Sequence, residues 1–233
     1  MGWRDAYRSF YYPTPSQAPD IVLPRADTCL LVIDVQNTYL QDDPHAIRTP
    51  EQLAEYERWL PFYRRMRGIV IPTIQRLIDA FRASGRRVLY ARIACLTPDG
   101  ADRSLSQRRP GFNNLLLPHR SPESQIIPEL APAPDEIVLC KTTDSAVTGT
   151  NLRLLLFNLG IRHVVVTGIF TDQCVSSTVR SLADESFDVI VVDDGCAAGT
   201  DELHQKELEI INNIYCQVLT ADEVLEACAK GES

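Results

Sequence analysis

The chain has 233 residues, of which 45% are hydrophobic and 23% charged, a balance that predicts one globular domain with ample material for a core. Its formal net charge of −8 argues against a nucleic-acid binder, which would normally present a basic face. No run of about 18 apolar residues predicts a membrane-spanning helix, and the opening residues lack the apolar core of a secretory signal.

Seven cysteines are scattered along the chain and never form a CxxC pair. This pattern fits neither a zinc framework nor a disulfide scaffold. Several lie in apolar runs, where a free thiol behaves as a small hydrophobe. We therefore expect a cytoplasmic protein with reduced thiols and with no membrane or nucleic-acid partner.

Residues 1–26 are rich in aromatic, proline and polar residues and show no regular period. We interpret them as an N-terminal arm that lies over the domain or over a neighbouring subunit. Residues 27–233 are predicted to form a single domain.

Six apolar runs predict strands that are buried on both faces of a parallel sheet, at 28–34, 87–93, 136–140, 163–169, 187–193 and 216–219. Helical patterns alternate with these strands, at 71–83, 150–159, 171–184, 201–214 and 221–229. This alternation predicts an α/β fold in which helices cover both faces of the sheet through right-handed crossovers.

The proline-rich segment 97–134 shows no helical or strand period. A long irregular segment in an α/β domain is usually an active-site cover or an assembly loop. The alternative is a solvated excursion without a function of its own.

Three polar residues fall at the carboxyl ends of predicted strands. Asp34 ends the first strand, Lys141 follows the third, and Cys174 begins the helix after the fourth. Ligands of open α/β sheets bind beyond these strand ends. The three side chains can therefore converge on one crevice.

Cys174 lies in the first turn of its predicted helix, where backbone N–H groups and the helix dipole favour a thiolate. A nearby Lys141 would hold the thiol pKa below its usual value of about 8.5. Asp34 can accept the thiol proton, and the backbone amides of Phe170 and Cys174 can hold an oxyanion. Each residue also has a structural alternative, because such an Asp can cap a helix, such a Lys can be solvated and such a Cys can pack in the core.

Three segments resemble the signature blocks of the isochorismatase-like cysteine hydrolases. They are LLVIDVQNTYL at 30–40, the segment 137–161 that begins IVLCKTTDSAV, and the segment 164–198 that contains TGIFTDQCV. The blocks stand in the order Asp, Lys, Cys, and the resemblance extends over residues 28–226.

The resemblance implies a three-layer Rossmann-like fold with a six-stranded sheet and a catalytic triad of Asp34, Lys141 and Cys174. It implies a cis peptide between Ile169 and Phe170 that aims the amides of Phe170 and Cys174 into an oxyanion hole. Similar enzymes hydrolyse C–N bonds of small amides, ureides or carbamoyl compounds through an acyl-enzyme, and they are commonly homodimers or homotetramers. Tyr39 corresponds to an aromatic residue that lines their pocket.

The sequence also departs from two branches of this family. Metal-binding nicotinamidases carry an Asp-x-His pair and a further histidine after the second strand, where this chain reads ARIACLTPDGADRS without any histidine. His45 and His119 stand alone, so we predict no metal and no cofactor. True isochorismatases replace the nucleophilic cysteine with a small residue, which disfavours their reaction here.

Arginines near the predicted crevice offer candidate contacts for a substrate carboxylate. Arg92 ends the second strand, and Arg108 and Arg109 lie in the long loop. For each of them a surface position without a ligand is the alternative. Cys196 also follows a strand end, but no acid–lysine pair accompanies it, so we interpret it as structural.

The leading hypothesis is thus a cysteine amidohydrolase whose partners are a small amide or carbamoyl substrate and water. A catalytically silent member that serves as a binding or assembly protein is the alternative. A dinucleotide-binding oxidoreductase is disfavoured, because the first strand leads into DVQNTYLQDD rather than a GxGxxG turn.

Overall fold

Six parallel strands form one sheet in the order β3-β2-β1-β4-β5-β6. In this computed structural model, which describes residues 5–12 and 19–232, the strands are β1 Thr28–Ile33, β2 Arg87–Ile93, β3 Ile137–Lys141, β4 His163–Ile169, β5 Asp188–Ala197 and β6 Gln217–Leu219. The predicted six-stranded parallel sheet is confirmed. The structure extends the fifth strand four residues beyond its predicted end.

Helices flank the sheet on both faces. They are α1 Pro50–Arg65, α2 Ile71–Ala83, α3 Leu105–Arg108, α4 Leu152–Asn158, α5 Ser176–Asp184, α6 Asp201–Ile211 and α7 Ala221–Lys230. Single π-helical turns, Met66–Val70 and Thr171–Val175, lead into α2 and α5. Short 3-10 turns occur at Asn37–Tyr39, Pro44–Ala46, Pro122–Ser124 and Pro128–Leu130. None of the described helices combines the length and the hydropathy needed to span a bilayer.

The core consists of two apolar layers separated by the sheet. Alternate residues of β1 point to opposite faces, so Leu30 and Val32 pack with α1, α2 and α7. Leu31 and Ile33 pack with α4, α5 and α6 on the other face. Burial on both faces explains why the strands read as nearly continuous apolar runs.

The helix α1 was not predicted from the sequence. Only Phe62 among its residues is fully buried, and Pro61 interrupts the sequence pattern. A capping box nevertheless marks its start: the Thr49 hydroxyl accepts a hydrogen bond from the Gln52 amide, and the Gln52 side chain accepts one from the Thr49 amide. Towards the other end of the chain, α6 stops at Ile211, before its predicted end, because Asn212 takes an extended backbone and Asn213 a left-handed one with φ of 64°.

The segment 97–134 is mostly irregular, as predicted, and two side chains tie it to the sheet. Gln36 is fully buried, and its side-chain amide donates to the carbonyls of Ile93, at 2.9 Å, and Ser124, at 2.8 Å. Arg92 donates to the carbonyls of His119, at 2.9 Å, and Ser124, at 3.0 Å. The loop is therefore fixed over the carboxyl ends of β1 and β2.

The described part of the predicted arm packs on the domain. The Tyr7 hydroxyl donates to Asp193 at 2.8 Å, and the side chain of Asn212 donates to the carbonyls of Ala6 and Tyr7. Leu23 is fully buried, and its amide donates to the carbonyl of Ala227 at 3.1 Å. Residues 1–4 and 13–18 of the predicted arm lie outside the described residues, and the boundary at residue 26 stays a prediction.

Candidate active site

The candidate site lies where the strand order changes direction, between β1 and β4. Asp34 directly follows β1, Lys141 ends β3, and Cys174 lies in the π-helical turn after β4. Because all strands are parallel, their carboxyl ends, and with them these three positions, lie on the same side of the sheet. This is the crevice in which open α/β sheets bind their ligands.

The structure brings the three predicted side chains into contact. Lys141 Nζ lies 2.7 Å from Oδ2 of Asp34 and donates a hydrogen bond to Sγ of Cys174 at 3.2 Å. The same ammonium also donates to the carbonyl of Thr143 at 3.1 Å. Exposed fractions are 1% for Asp34, 0% for Lys141 and 5% for Cys174. The lysine therefore bridges a buried carboxylate and a nearly buried thiol.

Asp34 has a strained backbone, with φ of 54°. A non-glycine residue in this region costs about 1–3 kcal/mol, and such residues cluster at functional sites. Two backbone hydrogen bonds hold it there, from the Asp34 amide to the carbonyl of Ala91 at 2.9 Å and from the Gln36 amide to the carbonyl of Asp34 at 2.8 Å. They fix the direction in which the carboxylate leaves β1.

Burial raises the pKa of Asp34, although the charge of Lys141 opposes this shift. Burial alone would lower the pKa of Lys141, but the charges of Asp34 and Cys174 outweigh it and raise that pKa. The ammonium therefore stays protonated while the carboxylate becomes a stronger base than an exposed aspartate.

The thiol differs from the sequence-based expectation. Burial and the charge of Asp34 raise the pKa of Cys174 well above its ordinary value, and the charge of Lys141 opposes them only in part. The prediction of a pKa below the ordinary value was wrong, because it weighed the helix terminus and the lysine without the burial and the facing carboxylate. Burial and the facing carboxylate thus favour the neutral thiol of Cys174.

Aromatic rings surround the turn between β4 and Cys174. The peptide bond between Ile169 and Phe170 is cis. The Phe170 ring packs edge-on against Tyr39, with centroids 5.3 Å apart, and also contacts Trp59 and Phe62. Burial raises the pKa of Tyr39, and the charges of Asp34, Cys174 and Asp144 raise it further. Tyr39 therefore lies close to the charged side chains of the site, and its role as a pocket residue stays a prediction.

Gly168 lets β4 approach β1 closely next to the site. Its φ is 118°, and a Cβ atom there would lie 2.0 Å from the carbonyl oxygen of Ile33. Only glycine fits here, because the side chain of any other residue would clash with Ile33 and because other residues rarely adopt this positive φ. The contact is one residue away from Asp34.

A buried polar network lies next to the nucleophile turn. His204 is almost fully buried, with Nδ1 2.8 Å from the Thr171 hydroxyl and Nε2 2.8 Å from Oδ1 of Asp193. Arg65 donates to the carbonyl of Asp193 at 3.0 Å, and Tyr7 donates to the Asp193 carboxylate. The residues of this network come from five separate segments, so no local sequence pattern indicates it.

Arg92, a predicted pocket residue, contacts the segment 97–134. Its guanidinium nitrogens donate to the carbonyls of His119 and Ser124 and to the Ser124 hydroxyl. Arg92 lies at a strand end, as predicted, and these bonds use three of its five N–H donors, so its contact with a substrate carboxylate stays a prediction. Arg92 therefore holds the segment 97–134 against the end of β2.

The other candidates outside the triad also have local contacts. Arg108 donates to the carbonyl of Ala101, and Arg109 stacks on Phe112 with 4.9 Å to the ring centroid. Cys196 is fully buried, and burial raises its pKa to about 12, which agrees with a structural role. Within residues 5–12 and 19–232, no group of three His, Cys, Asp or Glu side chains could hold a metal ion.

Asp144 is a site residue that sequence analysis missed. Its Oδ1 lies 3.7 Å from Sγ of Cys174 and accepts a hydrogen bond from Nε2 of Gln107 at 3.2 Å. It lines a cavity of about 500 Å³, a volume typical of small-molecule sites, whose lining includes Gln173 next to the thiol but none of the three triad side chains. The signal was available, since Asp144 stands three residues after Lys141 in the segment that leaves β3.

Comparison with known proteins agrees with this geometry. The family model described as the Isochorismatase domain matches residues 28–223. The chain belongs to the isochorismatase family. The resemblance identified in the sequence is confirmed.

A curated relative and two solved structures illustrate the similarity. The ureidoacrylate amidohydrolase RutB of Methylobacterium radiotolerans is 30% identical over 92% of this chain and 84% of its own length. An isochorismatase family protein from Burkholderia thailandensis is 27% identical with a TM-score of 0.70, over 91% of this chain and 100% of the other. N-carbamoylsarcosine amidase from Thermoplasma acidophilum is 25% identical with a TM-score of 0.62, over 84% and 97% of the two chains.

Proposed function

We propose that the protein hydrolyses a C–N bond of a small amide, ureide or carbamoyl substrate through an acyl-enzyme on Cys174, releasing ammonia or an amine. The observation that carries this proposal is the Lys141 ammonium, which contacts both the carboxylate of Asp34 and the sulfur of Cys174. The names of the relatives, a ureidoacrylate amidohydrolase and an N-carbamoylsarcosine amidase, support this class of substrate.

In the first step, Sγ of Cys174 attacks the substrate carbonyl carbon while its proton passes to Asp34. The raised pKa of Asp34 suits a proton acceptor, and the raised pKa of Cys174 requires that transfer accompany attack. Lys141 keeps its positive charge and stabilises the anionic partner at each stage. We propose that the backbone amides of Phe170 and Cys174 hold the oxyanion that develops on the carbonyl oxygen.

In the second step, the tetrahedral intermediate collapses and Asp34 returns the proton to the leaving nitrogen. The C–N bond breaks, and the acyl group stays on Cys174 as a thioester or thiocarbamate. A water molecule then attacks this carbonyl while Asp34 takes one of its protons. Breakage of the C–S bond returns that proton to sulfur, releases the acid product and restores the neutral thiol.

We also propose that the enzyme works in the cytoplasm as a homodimer or homotetramer. All seven cysteines are free, as expected for a reducing compartment. The exposed side chains of Leu154 and Phe157 on α4 give an apolar surface that a second copy of the chain can cover. Light scattering coupled to size-exclusion chromatography tests the oligomeric state.

The test of the activity is a screen for ammonia release across nicotinamide, biuret, carbamoyl amino acids, ureidoacrylate and maleamate. An accepted substrate should leave an acyl adduct on Cys174 that mass spectrometry detects after an acid quench. Cys174→Ala should abolish both signals, whereas Cys196→Ala, with the same change at a buried structural thiol, should keep both if it folds. Ammonia release by a folded Cys174→Ala protein would overturn the proposal, and a protein without turnover of any substrate would favour a silent binding member.

A further inference from the structure

The thiol of Cys174 lies between two carboxylates. Asp34 is almost fully buried and is paired with Lys141. Asp144 lies on the cavity side, half-buried, with Oδ1 3.7 Å from the sulfur. Lys141 is thus paired with Asp34, which does not line the cavity, and not with Asp144, which does.

The charge of Asp144 opposes ionisation of the Cys174 thiol. A carboxylate this close to a thiol disfavours the thiolate, and Asp144 contributes to the raised pKa of Cys174. Gln107 donates one hydrogen bond to the same oxygen, but a neutral amide cannot cancel the charge. A bound group with N–H donors or a positive charge would both pair with Asp144 and remove its effect on the nucleophile.

The rest of the cavity does not offset this charge. Its described lining includes two carboxylates, Asp144 and Asp172, and one cationic side chain, Arg180. The guanidinium of Arg180 already donates to Glu207, at 3.0 Å, and to the Ser176 hydroxyl, at 3.2 Å, and it stacks on a tyrosine ring. Its charge is therefore largely satisfied within the protein.

From these contacts we infer that Asp144 is a specificity-determining residue that selects substrates with a cationic or N–H-rich group next to the scissile bond and disfavours substrates with a carboxylate there. The inference rests on the proposed function, because it places the substrate carbonyl at Cys174. This charge preference would distinguish the protein from the relative named ureidoacrylate amidohydrolase, because ureidoacrylate carries a carboxylate. It also replaces the expectation that an arginine binds a substrate carboxylate.

Distance limits where the recognised group can lie. Asp144 Oδ1 and the attacking sulfur are 3.7 Å apart, so the group that pairs with Asp144 must be within a few bonds of the carbonyl carbon. A two-carbon spacer on the urea nitrogen meets this requirement. Three matched ureas test it: 2-aminoethylurea is cationic, propylurea is neutral and 3-ureidopropanoate is anionic.

Binding is measured by titration calorimetry in the Cys174→Ala protein, so that turnover does not interfere. We expect 2-aminoethylurea to bind at least about tenfold more tightly than 3-ureidopropanoate, a difference set by the sign of the charge. Asp144→Asn, in the same background, keeps an acceptor for Gln107 and should reduce this ratio to near one. Asp184→Asn, with the same loss of charge at the far end of α5, should leave the ratio unchanged.

Equal or reversed preference, binding of none of the three ureas, or a ratio that survives Asp144→Asn would each overturn the inference. A second readout needs no substrate: in the protein with Cys174 intact, Asp144→Asn should lower the thiol pKa and speed alkylation at neutral pH. If the charge preference is present but the intact enzyme hydrolyses none of the ureas or screened substrates, the proposed hydrolysis fails while the role of Asp144 stands.

Discussion

Lys141 Nζ lies 2.7 Å from Oδ2 of Asp34, and neither side chain is more than 2% exposed. Two charges removed from water in this way depend on each other. Loss of one partner leaves the other buried and uncompensated, which typically costs about 3–5 kcal/mol. The pair therefore links the stability of the fold to the chemistry of the thiol.

The Lys141→Met variant should be strongly destabilised, because it leaves the Asp34 carboxylate unpaired. We expect the free energy of unfolding to fall by about 3–5 kcal/mol, as measured by urea denaturation. The double variant Lys141→Met with Asp34→Asn removes both charges and should recover much of this loss. A double variant that is no more stable than Lys141→Met would contradict the dependence of each charge on the other.

Asp34→Asn should separate catalysis from thiol reactivity. Turnover should fall roughly 10²–10⁴-fold, because the proton acceptor is lost. The pKa of Cys174 should fall, since the Asp34 charge raises it, and alkylation of Cys174 by iodoacetamide at neutral pH should become faster. Lys141→Met should do the opposite and slow alkylation, with the modified cysteine located by peptide mass spectrometry. An unchanged alkylation profile in Lys141→Met would remove the lysine from its electrostatic role.

The pH dependence of kcat/KM should show an acid limb set by Asp34. This carboxylate must be ionised to accept the thiol proton, so activity is lost as the pH falls through its pKa. Burial raises that pKa above the ordinary aspartate value of 3.8, so the midpoint of the limb should lie above pH 3.8. Circular dichroism across the same range checks that the protein stays folded. A midpoint at or below 3.8 in the folded protein would be inconsistent with the buried carboxylate acting as the base.

His204→Asn should weaken the network that supports the nucleophile turn. It removes the contacts with Thr171 and Asp193, and we expect a loss of about 1–3 kcal/mol in the free energy of unfolding. Tyr7→Phe, which removes only the hydroxyl that donates to Asp193, is the matched control and should cost less. Equal stability of His204→Asn and the parent protein would show that the network does not support the fold.

The same network predicts how stability depends on acid. Burial alone would raise the pKa of Asp193, but hydrogen bonds from His204 and Tyr7, with the charges of His204 and Arg65, lower it. The ionised Asp193 carboxylate therefore contributes fully to stability above the pKa that Asp193 has in the unfolded chain. This contribution is lost as the pH falls through the lower pKa that Asp193 has in the folded protein. His204→Asn should make this acid-induced loss smaller, as measured by unfolding at a series of pH values.

Activity should survive exhaustive chelation near its starting value. The segment after Ile93 carries no histidine set, and in the proposed mechanism Cys174, Asp34 and Lys141 supply the nucleophile, the base and the charge. The measurement is the rate of ammonia release before and after treatment with a strong chelator. A fall to background that zinc, iron or manganese reverses would reveal a metal site.

Topology explains how much of the site was predictable. Strands buried on both faces appear in the sequence as long apolar runs. Because parallel strands have their carboxyl ends on the same side of the sheet, the order of elements predicts that Asp34, Lys141 and Cys174 lie close together. The helix α1 was missed because it buries little apolar surface. Its capping box at Thr49 was the signal that could have revealed it.

What the sequence did not reveal depends on distances between separate segments. The sign of the shift in the Cys174 pKa follows from which charges lie within a few ångströms, and the sequence pattern indicated the lysine but not the opposing effect of Asp34 and Asp144. Arg92 was correctly placed at a strand end, but its donors meet the carbonyls of a loop about 30 residues away.

The contact between Gly168 and Ile33 limits how this enzyme can be redesigned. A methyl group at Gly168 would press on the carbonyl of Ile33, and the next residue along β1 is the proposed base. A larger residue at position 168 would thus disturb the strand that leads into the proposed base. Asp144 and Gln107 lie outside the strands, on segments that can vary without moving the sheet. New substrate preferences should therefore be sought around Asp144 and in the short helix α3 that carries Gln107, with the strands left as they are.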